Sequence, residues 1–251
     1  MYRRILGITC ALSFVPAVAV AAPPDEIRDY EVTITNLTAG QPFSPPVIAT
    51  HRAETVVWHP NRPASIGVKE IAENGNNAPL LDDLRRRRSD GRIFDYQNLA
   101  STAMAPGPLL PAGRPGSGLF PTTVAGRIRA SRRFDRLSWV SMLVCTNDGI
   151  TGVDSVRLPV RVGRSVTIKS NAFETRTERN TEVLADIMPP CQGLIGVRSP
   201  SGAPGVAVSN ATLKETGVII PHAGVRGDAE LVPAEHGWGN PVGKIVIRRV
   251  G

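Results

Sequence analysis

The sequence predicts an all-β protein, an antiparallel β-sandwich with one or two short helices in its connections. Apolar and polar residues alternate in several short segments, which is the pattern of strands with one buried face. The chain also contains 24 glycines and 22 prolines, as expected when many short strands are joined by turns. Helical patterns are confined to residues 64–88.

The chain begins with a segment typical of a secretory signal peptide. Two arginines precede an apolar run over residues 5–21, and small residues stand just before Ala21. A membrane anchor is the alternative, but the run contains Pro16 and no basic stop-transfer cluster follows it. We therefore expect a cleaved signal peptide over residues 1–21, one sandwich domain over residues 22–251, a secreted or periplasmic location, and no transmembrane anchor in the mature protein.

Strand patterns are spread over the whole mature chain. The clearest lies at residues 29–37, where Tyr30, Val32 and Ile34 alternate with polar residues. The segment at residues 244–249 has the same pattern, and we expect these first and last strands to share a sheet. Further strand candidates lie at residues 55–58, 137–144, 156–160, 165–168 and 217–220.

Two short helices are predicted between the early strands. The first covers residues 64–73 and is stopped by Asn74 and Gly75. The second covers residues 79–84, with Pro79 and acidic residues in its first turn. Both are expected to be connections over the sandwich.

The mature chain is mildly basic. Its formal charge of +7 falls by 2 when Arg3 and Arg4 leave with the signal peptide. Export separates the protein from nucleic acid, and no aromatic residues interleave with the arginines of its densest basic cluster, at residues 85–88. Nucleic acid is therefore not an expected partner.

Two cysteines remain after loss of the signal peptide, because Cys10 lies within it. A pair in an oxidising compartment is most simply a disulfide, here Cys145 to Cys191. Two free thiols or a metal site are the alternative, but neither cysteine has the CxxC or CxxH spacing of a metal ligand.

Two polar segments contain candidate calcium ligands, since calcium binds carboxylate and carbonyl oxygens from irregular loops. Glu174, Glu178 and Glu182 are each four residues apart and would share one face of a strand or helix. The alternative is a solvated face balanced by Arg176 and Arg179. Either interpretation predicts a row of carboxylates.

Asp148 is a further candidate ligand, in the segment Asn147-Asp148-Gly149. Asp154 would add another carboxylate if the loop folds towards the glutamates. The same three residues are also typical of a turn, because Asn and Asp tolerate left-handed backbone and glycine has no Cβ. The expected disulfide would hold this segment near the one that ends at Pro190.

The order of several segments resembles the bacterial members of the spondin N-terminal domain family. The segments that are similar lie at residues 30–38, 40–46, 73–76, 137–149 and 236–238. The resemblance implies a β-sandwich related in shape to calcium-dependent membrane-binding modules. It also implies a calcium site of acidic side chains at one end.

The family's acidic motif, Asp-Ala-Gly-Thr-Asp/Glu, aligns with residues 174–178. Glu174 and Glu178 thus take the places of its two carboxylates, and Arg176 stands where the family has glycine. A further family carboxylate falls on Ser138, which carries no charge. The resemblance implies calcium as cofactor, held by Glu174 and Glu178, with Asp148 as the third candidate ligand.

The densest basic cluster is the run of Arg85, Arg86, Arg87 and Arg88. It would suit phosphate or sulfate groups on an envelope lipid or acidic polysaccharide. The alternative is a solvated helix end, whose arginines complement the helix dipole and nearby aspartates.

Enzyme motifs are absent from the sequence. The four histidines, His51, His59, His222 and His236, lack the spacing of a zinc enzyme, and there is no GxSxG elbow. A catalytic group would have to assemble through folding, for example Glu73 or Asp228 near His222. We expect no enzymatic activity.

The leading functional hypothesis is a secreted or periplasmic spondin-like binding or adhesion module that is non-catalytic and binds calcium. Its partner would be an extracellular or envelope protein, lipid or glycan. The alternatives are an envelope lipid- or glycan-binding protein that uses the arginine cluster without metal, and a metal- or histidine-dependent hydrolase.

Overall fold

The computed structural model describes residues 25–100, 106–195, 205–206 and 208–251. The predicted signal peptide lies outside these residues. Ten strands form two antiparallel sheets, so the prediction of an all-β sandwich is confirmed. No helix within the described part of the chain is long and apolar enough to cross a membrane.

The elements follow one another in a simple order. The strands are β1 (Ile27–Asn36), β2 (Val47–His51), β3 (Ile93–Asn98), β4 (Thr123–Ser131), β5 (Arg136–Met142), β6 (Gly149–Arg157), β7 (Ser165–Ser170), β8 (Ala172–Glu174), β9 (Ile220–Pro221) and β10 (Gly243–Arg249). The α-helices are α1 (Ile66–Asn74), α2 (Ala78–Ser89), α3 (Pro190–Ile195) and α4 (Pro233–His236).

The smaller sheet has the strand order β4-β1-β10-β7. Val32 of β1 lies opposite Ile247 of β10, and Ile34 lies opposite Ile245. These apolar residues are fully buried, whereas the residues between them are partly or fully exposed. The prediction that the first and last strands share a sheet is therefore confirmed.

The larger sheet has the order β3-β2-β5-β6-β8-β9 and is covered on both faces. Trp139 of β5 packs between the two sheets with residues such as Phe43. Val140 and Met142 belong to a second core, which contains residues of α1, α2 and α3. Burial on both faces explains why β5 is apolar or uncharged over almost its whole length.

The two predicted helices are present. Ser65 caps α1 by accepting a hydrogen bond from the backbone N–H of Val68, and Gly75 ends it in left-handed backbone with φ of 61°. The second helix, α2, is longer than predicted and includes Arg85–Arg88 in its last turns. The short helices α3 and α4 lie outside the predicted helical region.

Several strand predictions were wrong in place or extent. Residues 55–58 form a connection, because Trp58 is buried against the larger sheet and donates its Nε1–H to the Trp139 carbonyl. Only Ile220 of the candidate at 217–220, and only the first two residues of the one at 156–160, are in strands. The strands β2, β3, β4 and β8 were not predicted.

The predicted disulfide between Cys145 and Cys191 is present, with a sequence separation of 46 residues. It joins the turn between β5 and β6 to α3. The turn is thereby fixed next to the irregular segment that follows β8.

Candidate calcium site

Two of the proposed metal ligands, Asp148 and Glu174, flank the point where β6 begins and β8 ends. Gly149, the first residue of β6, lies opposite Glu174, the last residue of β8. The backbone N–H of Thr175 donates to the carbonyl of Asp148 at 3.2 Å. Antiparallel pairing therefore brings Asp148 beside the segment that contains Glu174 and Glu178.

The turn after β8 wraps around the carboxylate of Asp148. Its Oδ2 accepts hydrogen bonds from the backbone N–H of Thr177 at 2.8 Å and of Glu178 at 3.3 Å. The Thr175 hydroxyl donates to the same oxygen at 3.1 Å. A carboxylate at residue 148 thus orders the turn at residues 175–178.

Arg176 adopts left-handed backbone in this turn, with φ of 57°. Only glycine adopts this conformation without a steric penalty. The Arg176 side chain extends to Glu215, with Nε 2.8 Å from the Glu215 carboxylate.

The carboxylates in the row have different partners. Glu174 accepts a hydrogen bond from the side-chain amide of Asn180 at 2.6 Å, and Glu178 accepts one from the backbone N–H of Asn210. Asp148 is fully buried, and its Oδ1 has no hydrogen-bond partner among the residues that the structure describes.

Glu182 does not belong to the site. Its carboxylate accepts the backbone N–H groups of Arg226 at 2.6 Å and of Gly227 at 2.7 Å. The expectation that Glu174, Glu178 and Glu182 share one face was wrong, because residues 175–183 form neither a helix nor a strand.

Burial raises the pKa values of all three candidate carboxylates, and nearby acidic groups raise them further. Burial, with a smaller contribution from Glu174, raises the pKa of Asp148 to about 6 against the lowering effect of its hydrogen bonds. Burial, followed by the charges of Glu73 and Asp148, raises the pKa of Glu178 to about 7. The pKa of Glu174 is also raised, chiefly by burial.

These features fit a hard cation in part. In the described residues, no three His, Cys, Asp or Glu side chains converge closely enough to hold a metal ion. In that part of the chain the buried Oδ1 of Asp148 nevertheless has no hydrogen-bond partner. A bound cation would offset the repulsion between the carboxylates. Glu174 and Glu178 would have to exchange their amide partners for the ion.

Ser138 and Asp154 lie away from this site. Ser138 accepts the backbone N–H of Ser155 at 2.9 Å and is 2.8 Å from Nε2 of His51. Asp154 is five positions beyond Gly149 along β6, a separation of about 16 Å in a strand. The candidate ligand Asp154 and the family position at Ser138 are therefore not brought to Asp148.

The histidines are scattered. His51 and His236 are fully buried. His222 stacks edge-to-face on Trp238, and burial lowers the pKa of its imidazole to about 4. Glu73, which the sequence suggested as a partner for His222, instead forms an ion pair with Lys69 at 2.5 Å.

The arginine run on α2 is largely paired with its own helix. Arg85 lies 2.9 Å from Asp82, while Arg86 and Arg87 lie 3.2 Å and 2.7 Å from the two carboxylate oxygens of Asp83. Arg88 is exposed and has no ion pair among the described residues. Their charges are thus mostly offset within the helix, as the solvated-helix interpretation expected.

The fold and the acidic turn define the protein as an antiparallel sandwich module with a disulfide-anchored end. The sequence model of the family described as Spondin_N matches residues 35–171, which is more than half of the chain. The chain therefore belongs to the spondin N-terminal domain family, as the resemblance indicated. The matched range includes Asp148 and ends before Glu174. No curated protein matches the chain.

Proposed function

We propose that this protein is an exported, non-catalytic binding or adhesion module in which calcium orders the loops that contact the partner. The observation that carries the proposal is the fully buried Asp148, whose Oδ1 accepts no hydrogen bond from any residue that the structure describes and whose pKa is raised in part by the charge of Glu174. The protein's membership of the spondin family and its disulfide support an extracellular or periplasmic location.

Calcium would act on the turn through the protein's own carboxylates. Asp148 already organises the turn through Oδ2, and its free Oδ1 would face the ion together with Glu174 and Glu178. The ion would supply positive charge where the protein now has mutually repelling acids. Ordering residues 175–178 would in turn fix Glu174 and Arg176.

A polar groove beside the turn is the proposed contact surface for the partner. It has a volume of about 220 Å³ and is lined by groups of both signs, including Glu174, Arg176, Arg226 and Asp228. Mixed charge at an exposed groove suits a polar protein or glycan surface better than an apolar ligand. The groove shares Glu174 with the proposed calcium site, which would couple metal binding to partner binding.

The decisive experiment compares the thermal unfolding midpoint in EDTA and in millimolar calcium. We expect calcium to raise the midpoint by several degrees in the wild type, because a ligand that binds only the folded state stabilises it. Asp148→Asn and Glu174→Gln/Glu178→Gln should abolish the rise. Asp82→Asn/Asp83→Asn, which removes two carboxylates from α2, should retain it; an unchanged midpoint in the wild type would refute the calcium site.

A further inference from the structure

A cleft with a basic lining lies outside the acidic site. It includes Arg87 of the arginine run on α2 but not the other three arginines of that run. It has a volume of about 570 Å³ and is lined by the arginines at 52, 62, 87 and 92 together with Glu54 and Asp90. Four arginines against two acids leave a net positive lining. The chain brings these arginines together from the end of β2, the following loop, α2 and the start of β3.

Two of these arginines are held in place by the protein. The Arg52 guanidinium lies over the ring of Phe134, 5.0 Å from its centroid. Arg87 is fixed by Asp83 at 2.7 Å and by its hydrogen bond to the carbonyl of Val56 at 2.6 Å. A ligand that enters the cleft would therefore meet two guanidinium groups whose orientation is already set.

The cleft also contains donors that the protein leaves unused. Nε of Arg52 is buried and has no hydrogen-bond partner among the described residues, and the Glu54 carboxylate is 3.9 Å from Nη1 of Arg52. Arg62 and Arg92 form no ion pair within the described part of the chain and are exposed. This contrasts with Arg85 and Arg86, whose charges are paired on the helix.

We propose that this cleft binds a phosphate or sulfate monoester group carried on a sugar-sized molecule. Guanidinium groups donate paired N–H bonds that match the geometry of tetrahedral oxyanions. The volume exceeds that of a single oxyanion and leaves room for the group that carries it. Arg62 and Arg92 provide exposed donors, and Arg52 and Arg87 provide donors that the protein holds in place.

The test uses isothermal titration of the purified mature protein at constant ionic strength. The probes are glucose 6-phosphate, inorganic phosphate and inorganic sulfate, with glucose as the neutral control. Arg62→Gln/Arg92→Gln removes two charges from exposed side chains of the cleft. Arg85→Gln/Arg86→Gln removes the same number of charges from α2 outside the cleft and serves as the matched control.

We expect the wild type to bind glucose 6-phosphate, and the Arg62→Gln/Arg92→Gln variant to bind it at least tenfold more weakly. The control variant should bind as the wild type does, and glucose should not bind. Equal weakening in both variants would show a general charge effect and overturn the proposal. Absence of binding by every oxyanion probe would overturn it as well.

Two further arms distinguish the sources of such a group. Vesicles of phosphatidylglycerol present phosphate on a membrane surface, whereas phosphatidylcholine vesicles control for zwitterionic lipid. Binding to the phosphatidylglycerol vesicles that is lost in Arg62→Gln/Arg92→Gln would assign the cleft to a lipid headgroup. Binding of glucose 6-phosphate without vesicle binding would assign it to a soluble or glycan-borne monoester.

Discussion

Arg176 and Gly217 are in such close contact that a side chain at residue 217 would collide with Arg176. A Cβ at Gly217 would lie only 2.5 Å from Cβ of Arg176. The residue that packs against Arg176 is therefore one without a side chain. Gly217 thus makes the space that the arginine in the acidic turn requires.

This contact predicts that Arg176→Gly stabilises the protein by up to about 1 kcal/mol, because glycine adopts left-handed backbone without strain. Loss of the ion pair with Glu215 should offset little of this, since the Arg176 side chain is 44% exposed. Gly217→Ala should be destabilising in the wild type and much less so together with Arg176→Gly. Chemical denaturation of the four proteins measures the coupling, and additive effects would contradict the proposed contact.

The raised pKa values predict that the calcium-free protein loses stability as the pH rises. Asp148 and Glu178 bind protons more tightly in the folded state than in the unfolded chain, since their pKa values are raised to about 6 and about 7. Their favourable contribution is therefore complete below about pH 4 and is lost as the pH rises through about 6 to 7. For Asp148 the loss is on the order of 3 kcal/mol.

Denaturation in EDTA between about pH 4 and pH 8 measures this effect. Asp148→Asn should flatten the profile, because it removes one of the two titrations. Asp82→Asn, on the exposed part of α2, should leave the profile unchanged. A wild-type profile whose stability rises over the same range would show that other groups dominate.

The alternation of apolar and polar residues was sufficient to predict β1 and β10, the two central strands of the smaller sheet. It failed for β2, whose five residues are all buried, because a strand covered on both faces has no alternation. It also misassigned residues 55–58, a loop whose Val57 and Trp58 pack into the core that contains Val140 and Met142. In both segments, a strand and a loop cannot be told apart without knowing which surfaces of the protein cover the side chains.

Only part of the candidate site was predicted from the sequence, because the rest depends on how the folded backbone directs each side chain. Asp148, Glu174 and the disulfide were identified from residue type and family order, and strand pairing does bring the two acids together. The equal spacing of Glu182 suggested a shared face, but its irregular backbone directs the carboxylate to the loop at Arg226. The arginine cleft was missed because its members are separated in sequence and meet only in the fold.

The disulfide predicts a large loss of stability on its removal. Cys145 and Cys191 are separated by 46 residues, and closing a loop of this length contributes roughly 4 kcal/mol in the chain-entropy model. Replacing both cysteines by alanine should therefore lower the free energy of unfolding by about this amount. Replacing both should also weaken calcium binding, because the bridge fixes the turn beside Asp148. A double variant as stable as the wild type would contradict this role.

Ser138 provides the test of whether the family's further carboxylate can be restored at this position. Ser138 is fully buried. Its hydroxyl oxygen accepts the backbone N–H of Ser155 at 2.9 Å and lies 2.8 Å from Nε2 of His51. Ser138→Asp would place a second carboxylate beside Asp154, whose Oδ1 is 3.5 Å from the hydroxyl. We expect a loss of stability of at least about 2 kcal/mol from burial of an unpaired charge and like-charge repulsion.

The Ser138→Asp variant should not strengthen the calcium response. Residue 138 lies beside Asp154 of β6, and Asp154 is about 16 Å along that strand from the acidic turn. Ser138→Ala separates the two effects, because it removes the hydrogen bonds without adding charge and should cost about 1–3 kcal/mol. Calcium titrations followed by thermal unfolding measure both variants. A tighter calcium response in Ser138→Asp would mean that residue 138 reaches the ion, and the site would then have to be rebuilt around β5 rather than around Asp148.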